Sequence, residues 1–130
     1  MVKKSVIDTA SNYVRRLSSE LEVKKAFLFG SCAKGLERED SDIDIAVVFT
    51  HMTDFFSIQM QLMRLRRKID IRIEPHPISE ADFIQMTPFA YEIKTSGIEI
   101  EWTEKEDDTS KKKITNKPNK LKLNISSENQ

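Results

Sequence analysis

Two aspartates at alternate positions, Asp42 and Asp44, have the spacing that most clearly suggests chemistry in this sequence. Residues two apart on a β-strand project from the same face, so the two carboxylates would lie side by side. Adjacent carboxylates repel each other and supply the oxygen ligands that hard divalent cations prefer. The pair predicts a cation site, although an Asp-x-Asp on its own is more often a solvated strand edge.

A Gly-Ser turn precedes the pair, with ten residues between Ser31 and Asp42. Gly30 permits close approach of a phosphate, and the hydroxyl of Ser31 joins the unpaired N–H groups of a helical turn as donors to phosphate oxygens. Lys34 adds a positive charge to this turn. Ser31 as a simple helix N-cap is the alternative, and both roles are compatible.

A third carboxylate is expected from a neighbouring strand, because a two-ion displacement of a phosphate usually has one on the acceptor side. Residues 68–74 alternate between isoleucine and polar residues, which predicts a strand with Asp70 on its polar face. Asp70 is therefore the predicted third ligand and a candidate acceptor of the proton. Two alternatives stay open: Asp70 pairs with Arg72, or Glu74 is the third ligand in a different register.

Hydrophobic periodicity predicts the elements that would position these residues. Pro75 and Pro77 are expected to end the third strand, and Thr53 is expected to cap the second long helix. Ser79 and Asp82 resemble a capping box that begins a short helix. In chain order, we predict a helix over 6–21, a strand over 26–29, a strand over 42–47, a helix over 55–69, a strand over 68–74, a short helix from Ser79, a helix over 88–97 and an edge strand over 98–102.

This order predicts an α/β (α+β) fold in which helices pack on one face of a small, mixed, twisted β-sheet. The polar face would hold the site. Residues 1–103 are expected to form the only domain, because residues 104–130 are rich in Lys, Ser and Asn and have too few apolar residues to form a core.

The composition narrows the classes of function. Acidic and basic residues number 21 each, so there is no net charge to attract nucleic acid or an anionic membrane, and no dedicated nucleic-acid binding is expected. The sequence has no apolar run long enough to cross a bilayer and no signal-peptide pattern, which predicts a cytoplasmic protein. The single cysteine, Cys32, excludes an internal disulfide and is a poor candidate for a catalytic thiol.

Three other features have ordinary interpretations. His51 and His76 are expected to be loop residues, since neither has a second His or Cys at ligand spacing. A second apolar stripe on the helix after Thr53, formed by Phe56, Met60 and Met63, is either core or a docking surface for a partner or a second copy.

The run Phe-Gly-Ser-Cys-Ala-Lys-Gly, followed by Asp-Ile-Asp and a later Asp, resembles the signature of the polymerase-β-like minimal nucleotidyltransferases. The resemblance extends over residues 26–100. It implies that Gly30 and Ser31 bind the triphosphate of ATP, that Asp42 and Asp44 bind Mg²⁺, and that Asp70 completes the site. Lys34 stands where many members have arginine, so it keeps the charge without the bidentate geometry.

The resemblance also implies a partner. Many members resemble antitoxins of two-gene modules whose toxin is a HEPN-type RNase, and some add AMP to a tyrosine of that toxin. The Arg-x4-6-His motif of the RNase is absent here, so this chain is not the toxin. The alternatives are a non-catalytic antitoxin that acts by stoichiometric binding and a nucleotidyltransferase for small molecules; a homo- or hetero-oligomer is compatible with each.

Overall fold

The computed structural model describes residues 2–36, 38 and 41–103. The predicted tail, 104–130, therefore lies outside the described residues. The elements are α1 (Lys4–Ser18), β1 (Val23–Phe29), β2 (Ile43–Phe49), α2 (Phe55–Leu65) continued by a 3₁₀ turn (Arg66–Lys68), β3 (Ile73–Ser79), α3 (Glu80–Ile84), α4 (Pro88–Ser96) and β4 (Ile98–Glu99).

The four strands form one mixed sheet in the order β3-β2-β1-β4. β1 pairs antiparallel with both β2 and β4, whereas β2 and β3 are parallel. The predicted small mixed sheet with helices is confirmed, and so is the position of the last strand at an edge. Mixed pairing places the start of β2 beside the start of β3 and the end of β1, where the chemistry-bearing residues are found.

One face of the sheet is covered by α1 and α2. Their apolar residues form a buried core with the odd-numbered residues of β2, such as Ile43 and Ile45. Within this core, the hydroxyl of Tyr13 donates a 2.6 Å hydrogen bond to the carbonyl oxygen of Leu62. Burial raises the pKa of Tyr13 above its ordinary value, and the nearby charge of Arg66 opposes this shift. The tyrosine thus joins α1 to α2 through a neutral hydroxyl.

The second face is covered only in part. Phe83 of α3 and Ala90 and Ile93 of α4 pack against the part of this face that includes Val48 and Ile78. The prediction of helices on one face is therefore wrong for α3 and α4. Alternation along β2 explains the difference: Ala46 and Val48 continue the face of Asp44 but are apolar and buried, so they also require a covering layer.

The third strand begins later than predicted. It spans Ile73–Ser79, so the prediction of a strand over 68–74 that ends at the prolines is wrong. The N–H of Ile43 donates to the carbonyl of Arg72 at 2.9 Å, which fixes the pairing of β2 with β3. With this pairing, the nitrogens of Pro75 and Pro77 point to the open edge, where no donor is needed.

The end of α2 holds the beginning of β3 in place. The guanidinium of Arg66 donates to the carbonyl oxygens of Ile71 and Ile73, at 3.1 and 2.7 Å. The side-chain amide of Gln59 donates to the carbonyl of Pro75 at 3.3 Å. These contacts supply the β3 backbone with partners from outside the sheet.

Two of the three helix starts that the sequence marks with a capping residue or a proline are confirmed. Ser79 caps α3 by accepting from the N–H of Asp82 at 3.1 Å, as predicted, and α4 begins at Pro88. The predicted cap of α2, Thr53, is wrong because Asp54 accepts from the N–H of Ser57 at 3.2 Å. Both residues are ordinary N-caps, so composition alone could not separate them.

The second stripe of α2 faces solvent. Phe56 is 72% exposed and Met60 is 52% exposed, while Leu62 and Leu65 of the same helix are buried. Phe56, Met60 and Met63 border a groove of about 420 Å³ together with Ser57, Gln61, Arg64 and Arg67. The stripe is thus a surface, not core. Among the described residues, no helix combines the length and the apolar character needed to cross a membrane.

Candidate active site

The turn after β1 has the geometry predicted for a phosphate-binding turn. Gly30 adopts a left-handed conformation with φ of +76°, and the N–H of Ala33 donates to its carbonyl at 3.2 Å. The N–H groups of Lys34 and Leu36 both donate to the carbonyl of Ser31, at 3.1 and 2.9 Å. Such a helical turn leaves its first N–H groups directed outward. The side chains of Ser31 and Lys34 are exposed at this turn.

The turn packs directly against the predicted carboxylates. A Cβ atom on Gly30 would lie 2.5 Å from Oδ2 of Asp44, a distance that only glycine avoids. Cys32 is buried, and its thiol donates to the carbonyl of Asp42 at 3.3 Å. Cys32 therefore holds the backbone at the start of β2 and has no exposed thiol for catalysis, consistent with its prediction as a poor nucleophile.

Glu74 is the carboxylate that the sheet brings to Asp44. In the parallel register of β2 and β3, Asp44 lies opposite Glu74. Partial burial of its carboxyl group raises the pKa of Glu74; His76 lowers it, while the charges of Asp44 and Asp42 and a hydrogen bond with Asp42 raise it. The Glu74 residue as a whole is exposed, so its carboxyl group stays accessible from solvent. Asp42, Asp44 and Glu74 thus form one acidic cluster.

His76 also belongs to this site. It lies within β3, so its prediction as a loop residue is wrong, whereas His51 does lie in a loop. Its Nε2 is 3.2 Å from Oδ1 of Asp44. The ring makes an edge contact with Phe29 at a centroid distance of 5.0 Å and a tilted contact with Phe89 at 5.9 Å. These two aromatic rings restrict the orientation of the imidazole.

Asp70 lies before β3, in the connection that follows the 3₁₀ turn. Its carboxylate accepts hydrogen bonds from the backbone N–H of Arg72 at 2.9 Å and from the guanidinium of Arg72 at 2.8 and 3.1 Å. These bonds lower the pKa of Asp70. The pairing with Arg72 that the sequence left open is present, and the contacts of Asp70 are those of a residue that shapes the entry to β3.

The residues present fit a divalent cation. One ligand atom from each of Asp44, Glu74 and His76 lies within 4.8 Å of the others. Ligands of one ion at about 2.1 Å are separated by roughly 3 to 4 Å, so small side-chain rotations would suffice. The acidic cluster also places negative charges close together, which a cation would offset.

The sequence predicts Gly30, Ser31, Asp42 and Asp44 as site residues, and the structure brings these residues to one place. The sequence does not predict His76 as a site residue, and it predicts Glu74 only as an alternative. A signal for both was available: Glu74 and His76 alternate with Pro75 and Pro77, which is the pattern of an edge strand with its prolines on the open side. Glu74 and His76 lie opposite Asp44 and Ala46 of β2 because β2 and β3 pair in parallel. The sequence alone does not predict this pairing.

Several solved structures share this fold, and three of them illustrate the range. A candidate nucleotidyltransferase from Sulfolobus solfataricus has 19% identity and a TM-score of 0.55, over 73% of this chain and 78% of that chain. A toxin-antitoxin structure with AMP-PNP has 22% identity and a TM-score of 0.56, over 72% and 73%. A toxin-antitoxin structure of MntA-HepT has 17% identity and a TM-score of 0.52, over 78% and 74%.

No curated protein sequence matches the chain significantly. The family described as polymerase beta, nucleotidyltransferase, does match, over residues 12–106. This match spans most of the chain and includes the Gly-Ser turn, the acidic cluster and His76. On these grounds, the chain belongs to the polymerase β nucleotidyltransferase family.

Proposed function

We propose that this protein binds Mg-ATP and transfers AMP to a hydroxyl group, most simply a tyrosine, of a partner protein. The observation that carries the proposal is the closeness of the Gly30 turn to Asp44, because a phosphate bound at the turn would lie next to a cation held by the acidic cluster. Family membership supports nucleotidyl transfer. The proposal of a protein acceptor rests on the fold shared with the MntA-HepT toxin-antitoxin structure.

Each part of the site receives a role. The turn N–H groups, the Ser31 hydroxyl and the Lys34 ammonium bind the phosphate oxygens. Asp42, Asp44 and Glu74 would hold a divalent cation. Glu74 takes the place of Asp70 as the third carboxylate because it lies opposite Asp44 in the sheet. A bound cation would neutralise phosphate charge and lower the pKa of the attacking hydroxyl.

In the reaction, the acceptor oxygen forms a bond to the α-phosphorus while the bond from that phosphorus to the bridging oxygen breaks, and pyrophosphate leaves. The hydroxyl proton passes to a carboxylate of the acidic cluster.

The partner we propose is a HEPN-type toxin encoded by the neighbouring gene, which transfer of AMP would inactivate. The exposed stripe of α2 supports binding to a protein. Phe56 and Met60 supply apolar area, while Arg64 and Arg67 border the same groove and would favour an acidic partner segment. α2 packs on the face of the sheet opposite the acidic cluster, so a partner docked there leaves the site open to an acceptor segment.

The test incubates the full chain with the neighbouring gene's product, Mg²⁺ and ATP labelled at the α-phosphate. We expect label on the partner with the wild type and none with Asp42→Ala/Asp44→Ala. Asp8→Ala is the matched control, because Asp8 is an exposed aspartate on α1 that forms an ion pair with Lys4 at 2.9 Å, on a different element from the acidic cluster. It should label the partner as the wild type does.

A second candidate function, neutralisation by binding alone, is favoured by the same exposed stripe on α2. The two functions differ in the behaviour of the double variant. If Asp42→Ala/Asp44→Ala is folded, binds the toxin and still protects cells from it, stoichiometric binding is the function. If protection disappears together with the label, transfer is the function.

A further inference from the structure

We propose that His76 is a nitrogen ligand of the divalent cation held by Asp44 and Glu74, so that this site binds Mn²⁺ or Co²⁺ more tightly than Mg²⁺. The inference rests on the cation site of the proposed function. It concerns which ion the site selects, a property that the carboxylates alone do not determine.

The first argument is position. His76 follows Glu74 by two residues on β3, so both side chains leave the strand on the same face. Its partner across the sheet is Ala46, whose small side chain leaves the space above β2 to the imidazole. As a result, Nε2 of His76 reaches to 3.2 Å from Oδ1 of Asp44.

The second argument is orientation. Phe29 and Phe89 contact each other at a centroid distance of 5.3 Å, and both contact the imidazole. The side chain of His76 is 34% exposed and that of Asp44 is 24% exposed, so the donors can be reached from solvent without being free to turn away. A ligand ring held in place loses little conformational entropy when an ion binds.

The third argument is ligand chemistry. Mg²⁺ prefers oxygen ligands, whereas Mn²⁺, Co²⁺ and Zn²⁺ accept imidazole together with carboxylates. Two carboxylates and one imidazole leave positions on the ion for phosphate oxygens and water. A site with one nitrogen donor therefore shifts the selectivity toward transition metals, even where Mg²⁺ is more abundant.

The competing role for His76 is purely structural: a hydrogen bond that positions Asp44. The experiment separates the two roles by observing the nitrogen directly. Mn²⁺ is added to the full wild-type chain without nucleotide, and pulsed electron paramagnetic resonance detects ¹⁴N coupled to the bound ion. We expect ¹⁴N coupling in the wild type and in His51→Gln, in which His76 is the remaining histidine, and none in His76→Gln.

Affinities provide the second readout. Free Mn²⁺ is measured from its solution resonance, and Mg²⁺ is measured by competition. We expect His76→Gln to weaken Mn²⁺ binding by about tenfold or more while Mg²⁺ binding changes by less than about threefold. The glutamine amide can still bond to Asp44, so a positioning role would be largely preserved in this variant.

The outcomes are distinct. Mn²⁺ bound to the wild type without ¹⁴N coupling, or equal losses of Mn²⁺ and Mg²⁺ affinity in His76→Gln, would overturn the ligand role and leave the proposed transferase intact. Absence of binding of either ion to the wild type, with or without ATP, would overturn both. A wild-type spectrum without ¹⁴N coupling overturns the ligand role even if a variant fails to fold, and coupling that persists in His51→Gln assigns the nitrogen to His76.

Discussion

Gly30 lies so close to Asp44 that a single added carbon would meet the carboxylate at 2.5 Å. The residue that permits the phosphate-type turn is thus also the residue that leaves room for the cation ligand. Its φ of +76° is a second reason for glycine, because L side chains are strained in this conformation. Two demands therefore meet at one position.

Replacement of Gly30 by alanine should strain the turn and displace the Asp44 carboxylate. We expect Gly30→Ala to lower the free energy of unfolding by about 1 to 3 kcal/mol and to reduce AMP transfer at least tenfold, since Asp44 must move. Urea denaturation and the labelling assay measure the two effects. In an Asp44→Ala background, the same substitution should cost less stability because only the backbone strain remains. Equal costs in both backgrounds would contradict a contact with the carboxylate.

The turn residues Ser31 and Lys34 should contribute to nucleotide binding rather than to folding. Both side chains are exposed, so Ser31→Ala and Lys34→Ala should each weaken ATP binding by about tenfold and leave unfolding nearly unchanged. Lys34→Arg should retain most of the affinity. Lys4→Ala, which removes a lysine that is 87% exposed on α1, is the control for the loss of charge. Unchanged ATP affinity in Ser31→Ala and Lys34→Ala would remove these residues from the site.

Local pattern was sufficient to predict part of this site. Asp42 and Asp44 alternate with Ile43 and Ile45, and burial of the isoleucines fixes which face carries the carboxylates. The same alternation gave a wrong prediction for the strand over 68–74, because β3 spans Ile73–Ser79. Ile71 continues the alternation but is 70% exposed, because it lies in the connection that leads to β3.

The identity of the third carboxylate could not be predicted from local sequence, because it depends on how β3 pairs with β2. The start of β3 at Ile73 brings Glu74, and not Asp70, beside Asp44, and Arg66 contacts the β3 backbone at this start. These contacts join separate elements, whereas hydrophobic periodicity in the sequence describes only one element at a time. Periodicity therefore cannot predict them. The two prolines of β3 also argued against a strand at this position. A strand can contain them only because β3 lies at the edge of the sheet, which the sequence does not show.

Asp70 offers a direct test of this assignment. Asp70→Asn keeps an oxygen for the N–H of Arg72 but removes the charge that faces the guanidinium. We expect the variant to bind Mn²⁺ as the wild type does and to lose roughly 1 kcal/mol of stability at pH 7, a modest value because Arg72 is 37% exposed. Loss of Mn²⁺ binding in a folded Asp70→Asn would instead make Asp70 a ligand.

The pH dependence of this stability difference has a defined sign. Because the folded-state pKa of Asp70 is lowered, its ion pair stabilises the protein above the ordinary carboxyl pKa of 3.8, and this contribution is lost as the pH falls through the lower folded value. The difference between wild type and Asp70→Asn should therefore be largest near neutrality and shrink toward pH 3. Denaturation curves at pH 7, 5 and 3 measure it. A difference that persists in acid would exclude the ion pair as its source.

Tyr13 provides the corresponding test at alkaline pH, in the core that supports β2. Tyr13→Phe removes the hydrogen bond to Leu62 and should cost about 1 kcal/mol at pH 8. Burial raises the folded-state pKa of Tyr13, so its contribution to stability is complete below the ordinary value of 10.0 and declines above it, as the unfolded chain ionises. The decline is about 1.4 kcal/mol per pH unit, so wild type and Tyr13→Phe should become equally stable near pH 11.

Tyr91→Phe is the matched control, because Tyr91 is 59% exposed on α4. Its stability should follow that of the wild type across the same pH range. A constant deficit of Tyr13→Phe up to pH 11 would mean that the Tyr13 hydroxyl ionises as readily in the folded protein as in the unfolded chain. The hydroxyl would then have to reach water, and α1 would not be joined to α2 by a buried neutral hydrogen bond.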